Sequence, residues 1–164
     1  MLKDLIQQDF KEAFKNQEKV RLSVLRMLRA DIVKKQQEKR YQLKKEQQEL
    51  EDEELEMKST LNDEEILNVI VSKIKKSKDS IALFEQGGRT ELAEKEQEEI
   101  KVLKKYLPEQ FSEEKIKSIV EEVIAKVGAE SMKDIGRIMT ELMPRVKGKA
   151  DGDLVIKIVR EILS

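Results

Sequence analysis

The chain has no cysteine, no histidine and no tryptophan. Without the first two there is no disulfide frame, no thiol nucleophile, no imidazole base and no Cys/His metal site, which removes most hydrolase chemistry. Aromatic residues are 4% of the total, and the two prolines and six glycines fall mostly where helical patterns stop. No run of about 18 apolar residues is present to span a bilayer. Met1-Leu2-Lys3-Asp4 opens an amphipathic pattern instead of the apolar core of a signal segment, so a soluble cytoplasmic protein with no membrane partner is expected. An excess of one charge is missing too: 33 Lys and Arg face 34 Asp and Glu, so a partner has to be argued from how charge is distributed. At 41% charged and 38% hydrophobic, the composition fits long helices that expose much of their surface.

What is present is helical periodicity. Leu2, Leu5, Ile6, Phe10, Ala13 and Phe14 follow the i, i+3, i+4 spacing of one buried stripe, with Asn16 as a stop. From about Glu18 a second helix carries apolar residues most of the way round between Val20 and Val33, the pattern of a helix covered on several sides. From 34 to 61 the texture turns to Gln, Glu and Lys, leaving Leu43, Leu50 and Met57 as a seven-residue seam. Two readings stay open: a helical extension projecting from the body and pairing with a neighbour, or a solvated, partly frayed charged helix. The sign of charge flips near Glu46, from a basic block at 34–45 to an acidic one. Asn62 with Glu65 forms a capping-box pattern for a third helix through Ile66, Val69, Ile70, Ile74, Ile81 and Phe84. Gly87-Gly88 then reverses the chain into an antiparallel partner capped by Thr90 and stopped by Pro108.

Beyond Pro108 lie three short amphipathic helices, none stable alone in water. Ser112 caps the first and Gly128 closes it, Ser131 with Asp134 opens the second, and Asp151 caps the last. The predicted fold is all-α: an N-terminal antiparallel helical domain over 1–108, with the charged extension at about 34–61, and a small C-terminal three-helix bundle over 109–164.

Lys147-Gly148-Lys149-Ala150-Asp151-Gly152 invites comparison with a phosphate-binding loop, and the comparison fails. Met143 stands where the first glycine belongs, Ala150 where a Ser or Thr should follow Lys149, and no strand leads in. Two readings remain: a turn and cap joining two helices through Gly148, Asp151 and Gly152, or a backbone-contacting patch made by Arg145, Lys147 and Lys149. Arg26, Arg29, Lys73 and Lys76 belong to two further basic stretches, which either form a face that follows an RNA backbone or are simply solvated. Tyr41 alone lies among these cations as a stacking platform, so shape and phosphate contacts would dominate base readout. No catalytic residue, cofactor site or metal site is assigned.

Pro144-Arg145-Val146-Lys147-Gly148-Lys149-Ala150-Asp151-Gly152 closely resembles the signature of the GatB/YqeY family. Tyr106-Leu107-Pro108-Glu109-Gln110, Gly88-Arg89-Thr90-Glu91-Leu92 and Val24-Leu25-Arg26-Met27-Leu28 are similar to family motifs, and the likeness extends over nearly the whole chain except 36–61. The resemblance implies a stand-alone relative, bacterial in source, of the tail domain in the B subunit of the tRNA-dependent amidotransferase, where the tail helps hold the tRNA. It also implies the family label of carbon-nitrogen ligase with glutamine as amido donor, although the amidotransferase's catalytic domain has no counterpart in this sequence. The expectation is a tRNA-binding or amidotransferase-related accessory protein without catalysis of its own. A helical adapter for protein partners is the alternative.

Overall fold

The computed structural model of the chain describes residues 1–163, and every regular element among them is a helix, in agreement with the all-α class read from periodicity. The chain divides into two compact units, Met1–Tyr106 and Leu107–Ser164.

In the first unit, α1 (Leu2–Lys15) buries Ile6 and Ala13 and ends at Asn16, whose N–H donates to the Glu12 carbonyl. The reversal passes through Gln17 at φ 56, with the Glu18 N–H donating to the Ala13 carbonyl at 3.0 Å. This is a left-handed helix stop that glycine adopts freely, having no Cβ to meet the following carbonyl. Gln17→Gly is therefore expected to stabilise the protein by about 0.5–1 kcal/mol, read as a rise in the urea midpoint at unchanged slope.

Helix α2 (Lys19–Glu46) packs on α1 and α5 and on α3 (Asp52–Ser59) and α4 (Asp63–Gln86). Its covered stripe is Val24, Leu25, Leu28 and Ile32, while Val20, Met27 and Val33 remain exposed, so the apolar surround is narrower than the sequence suggests. The stretch 34–61 is not one projecting helix. The chain turns after Glu46 and α3 folds back on α2, burying Leu55 and Leu61. The flip in charge explains the reversal: Arg40 on the basic end of α2 pairs with Asp52 at 2.9 Å and Glu56 at 3.1 Å on acidic α3. The Lys44 ammonium donates to the Leu50 carbonyl at 3.1 Å. With the helix broken, Leu43, Leu50 and Met57 form no seam, and Met57 is exposed.

The expected capping box opens α4: Asn62 Oδ1 accepts the Glu65 N–H and Glu65 Oε2 accepts the Asn62 N–H, both at 2.8 Å. Ile66, Ile70 and Ile74 are buried, and cover fades toward the tip, where Ile81 and Phe84 are half-buried. Gly88, at φ 67, turns the chain into α5 (Thr90–Lys104), and α4 and α5 pack on each other. Thr90 does not cap α5. Arg89 holds the N-cap position, no side chain accepts there, and Thr90 is already the first helical residue.

In the second unit, Ser112 accepts the Lys115 N–H and caps α6 (Glu113–Val127). Ser131 caps a single 3-10 turn, Met132–Asp134, that leads into α7 (Ile135–Val146), and α8 (Gly152–Leu163) follows. Helix α6 packs on both α7 and α8. Ile116, Val120 and Val123 meet Ile138, Leu142 and Val146 of α7 and Val155, Ile158 and Val159 of α8 in one core.

Candidate functional site

The α7–α8 junction is built by two constraints. Gly148 is buried at φ 74, a conformation in which a side chain would strain the backbone. Its carbonyl accepts from Gln110 Nε2 at 2.7 Å, the same amide group donating to the Pro108 carbonyl at 2.8 Å. Next to it the Phe111 N–H donates to the Lys149 carbonyl at 2.7 Å, and the Lys149 ammonium lies 5.3 Å from the Phe111 ring centroid. The segment before α6 thus clamps residues 148 and 149 at their backbone carbonyls and leaves the Lys149 side chain exposed. Asp151 starts α8: its carbonyl accepts the Val155 N–H and its Oδ1 accepts the Asp153 N–H, both at 3.0 Å. Gly152 is the first residue of α8 and has open space where a Cβ would be.

The three cations of this stretch are not equivalent. Arg145 is half-buried and bonded to Glu122 of α6 at 2.8 Å, which holds the Glu122 carboxyl below its ordinary value. Lys147 and Lys149 make no ion pair among the described residues. Lys147 is half-buried and Lys149 exposed, so these two ammonium groups are the ones the junction presents.

In the first unit, α2 and α4 bring the two basic stretches side by side along a groove of about 910 Å³. Lys73 and Lys76 line it from α4, but Arg26 and Arg29 do not. Arg29 lies over the Phe10 ring at 4.3 Å and Arg26 is exposed. The groove is not a basic face: carboxylates interleave with its lysines. Lys73 donates to Asp31 at 3.0 Å, Lys39 contacts Glu65 at 2.7 Å and Lys35 contacts Glu38 at 3.2 Å. Lys76 is exposed and without an ion pair among the described residues.

Sequence reasoning passes over Gln110 and Phe111, which read as a boundary and act as the clamp of the junction. It also reads Glu99, with Glu94, Glu96 and Glu98, as part of an exposed glutamate-rich side of α5, whereas Glu99 is only 8% exposed. Burial, followed by repulsion from Glu96, pushes its carboxyl up. No local pattern marks either feature, because each depends on a partner element distant in sequence. No described helix is long and apolar enough to cross a membrane.

Over 161 residues the chain is 26% identical to altered inheritance of mitochondria protein 41, mitochondrial, of Pyrenophora tritici-repentis, a span of 96% of this chain and 78% of that protein. Over 55 residues it is 40% identical to an uncharacterized protein of Schizosaccharomyces pombe, covering 34% of this chain and 45% of the relative. Both relatives are fungal, which runs against the bacterial source expected from the resemblance. A sequence model of YqeY-like proteins matches residues 3–51 and again 35–163, and the overlap falls where α2 ends and turns toward α3. With both units inside these matches, the chain belongs to the YqeY-like protein family.

Proposed function

We propose that this protein is a tRNA-binding, amidotransferase-related accessory protein that acts without catalysis of its own, and that Lys147 and Lys149 contact the phosphate backbone. One observation carries this reading. The junction is clamped from behind by Gln110 and Phe111, and its two lysines are left without carboxylate partners among the described residues. Rigid backbone with free ammonium groups suits phosphate contacts, which position a nucleic acid without reading its sequence. Arg145 has a supporting part, because its guanidinium is already engaged by Glu122. Arg26 and Lys76 are secondary contacts in this reading, and Arg29 and Lys73 are structural. The location that goes with it is any compartment holding tRNA, the cytoplasm or the interior of a mitochondrion. The carbon-nitrogen ligase label is assigned to a partner enzyme, and a glutamine-dependent assay with mischarged tRNA and this chain alone is expected to show no turnover.

The test is fluorescence anisotropy with bulk tRNA across a salt series. Replacing Lys147 and Lys149 together by Ala is expected to weaken binding and to lower the slope of log K against log salt by about 2, near one per lost phosphate contact. Equal affinity and equal slope for the double variant and the parent protein would remove these lysines from the interface.

The adapter reading has its own observation: Leu83 and Leu92, on the two arms of the α4–α5 hairpin near its turn, are 68% and 40% exposed. Capture of partners that survives nuclease treatment favours it, whereas nuclease-sensitive capture favours RNA.

A further inference from the structure

The groove of the first unit contains two hydrogen-bond acceptors that the protein leaves unfilled. Glu99 is more than nine-tenths buried, and neither a hydrogen bond nor an ion pair engages its carboxylate among the described residues. Asn68 Oδ1 is buried and receives no donor. Both residues line the groove. Two of the lysines that line the groove are committed to other carboxylates, Lys73 to Asp31 and Lys39 to Glu65, and neither they nor the exposed Lys76 donates to Glu99 or Asn68. A buried acceptor without a donor is destabilising.

We propose that this groove binds an aliphatic di- or polyamine, with one ammonium group donating to the Glu99 carboxylate and another to Asn68 Oδ1. Three features favour that chemistry. The unfilled groups are both acceptors, so the ligand must be a donor, and the carboxylate selects a cation. The two acceptors stand on different helices, Asn68 on α4 and Glu99 on α5, so a ligand with two ammonium groups matches them. No group of three or more acids among the described residues is placed to hold a metal. Met27, Leu61 and Val69 give the groove an apolar surface for methylene groups. Burial and then repulsion from Glu96 push the Glu99 carboxyl up against the weaker pull of Lys95 and Lys73.

The experiment is calorimetric titration of the full chain with spermidine at low salt. Saturable binding is expected, weakened about tenfold or more by Glu99→Gln and clearly by Asn68→Ala. Glu94→Gln, a change at an exposed glutamate on the same helix, should leave it unchanged. Absence of saturable heat, or equal weakening by Glu94→Gln and Glu99→Gln, would overturn the proposal, the second result meaning diffuse attraction to acidic surface. NMR on the unaltered protein decides the matter even where a variant fails to fold. The Asn68 side-chain amide and the Glu99 backbone amide must shift with spermidine, and shifts confined to exposed glutamates of α5 count against the site.

Discussion

Leu142→Ala is expected to cost the C-terminal unit about 2–5 kcal/mol and to unfold it at physiological temperature while the N-terminal unit stays folded. Leu142 is fully buried where α7 meets α6, in contact with a core that also receives Val155 and Val159 from α8. Truncation removes several methyl and methylene groups and leaves a cavity that three short helices cannot close without moving apart. A unit of roughly 60 residues buries a smaller share of its surface than a larger domain, so its total stability is of the same order as the loss. The buried apolar residues of the N-terminal unit run from Ile6 to Tyr106, and none of them belongs to this cluster. Limited proteolysis should therefore release a resistant fragment ending near Tyr106, and the thermal melt should split into two steps. A single transition displaced by less than about 1 kcal/mol would show that the core absorbs the cavity. Since Val146 of the same helix is in that core and Lys147 follows it, tRNA binding through the junction should be lost along with the fold.

Helices that carry their own stop and start signals were legible in the sequence. Asn62 with Glu65 and Ser112 are capped as their spacing indicates, because capping is decided by residues three apart. The hairpin at Gly87-Gly88 likewise needs only local backbone freedom. The α2–α3 reversal was not legible. Nothing between 47 and 51 is a strong breaker, and the turn is held by Arg40 reaching Asp52 and Glu56, a pairing of residues 12 and 16 apart. The charge flip near Glu46 was visible, but the same pattern suits a straight helix with opposite ends. The candidate sites divide the same way. The cap at Asp151 is local, whereas the clamp of Gln110 on Gly148 spans 38 residues, and the isolation of Glu99 is a property of three packed helices.

Arg21→Met is expected to destabilise the N-terminal unit by about 2–3 kcal/mol, the largest loss from any single charged residue outside a core. The Arg21 side chain is 19% exposed, and its guanidinium reaches three carboxylates: Asp9 at 3.0 Å, Glu12 at 2.9 Å and Glu18 at 3.2 Å. Asp9 is also held by the Tyr106 hydroxyl, which donates to it at 2.5 Å, so α1, α2 and the turn after α5 are joined in one network. Removing the cation leaves Asp9 half-buried beside two like charges, and that repulsion, more than the lost pairs, sets the size of the effect. Arg21→Lys restores only part of it, because one ammonium cannot present the fork that serves three acceptors. The pH dependence has a definite sign. Glu18, bonded by Asn16 and Arg21, is held below the ordinary glutamate value of 4.5. A carboxylate depressed in the folded state stabilises above its unfolded value and loses that contribution as pH falls through its folded one. The gap between parent and Arg21→Met is thus full near neutrality and closes below about pH 4. At the alkaline end, burial and the bond to Asp9 push the Tyr106 hydroxyl up, so the parent loses stability above about pH 10 and Tyr106→Phe lacks that loss. Urea titrations at acid, neutral and alkaline pH check all three statements. A gap for Arg21→Met that stays constant from pH 3 to pH 7, within this network of carboxylates, would mean that the arginine acts by packing its methylene stem and not by its charge.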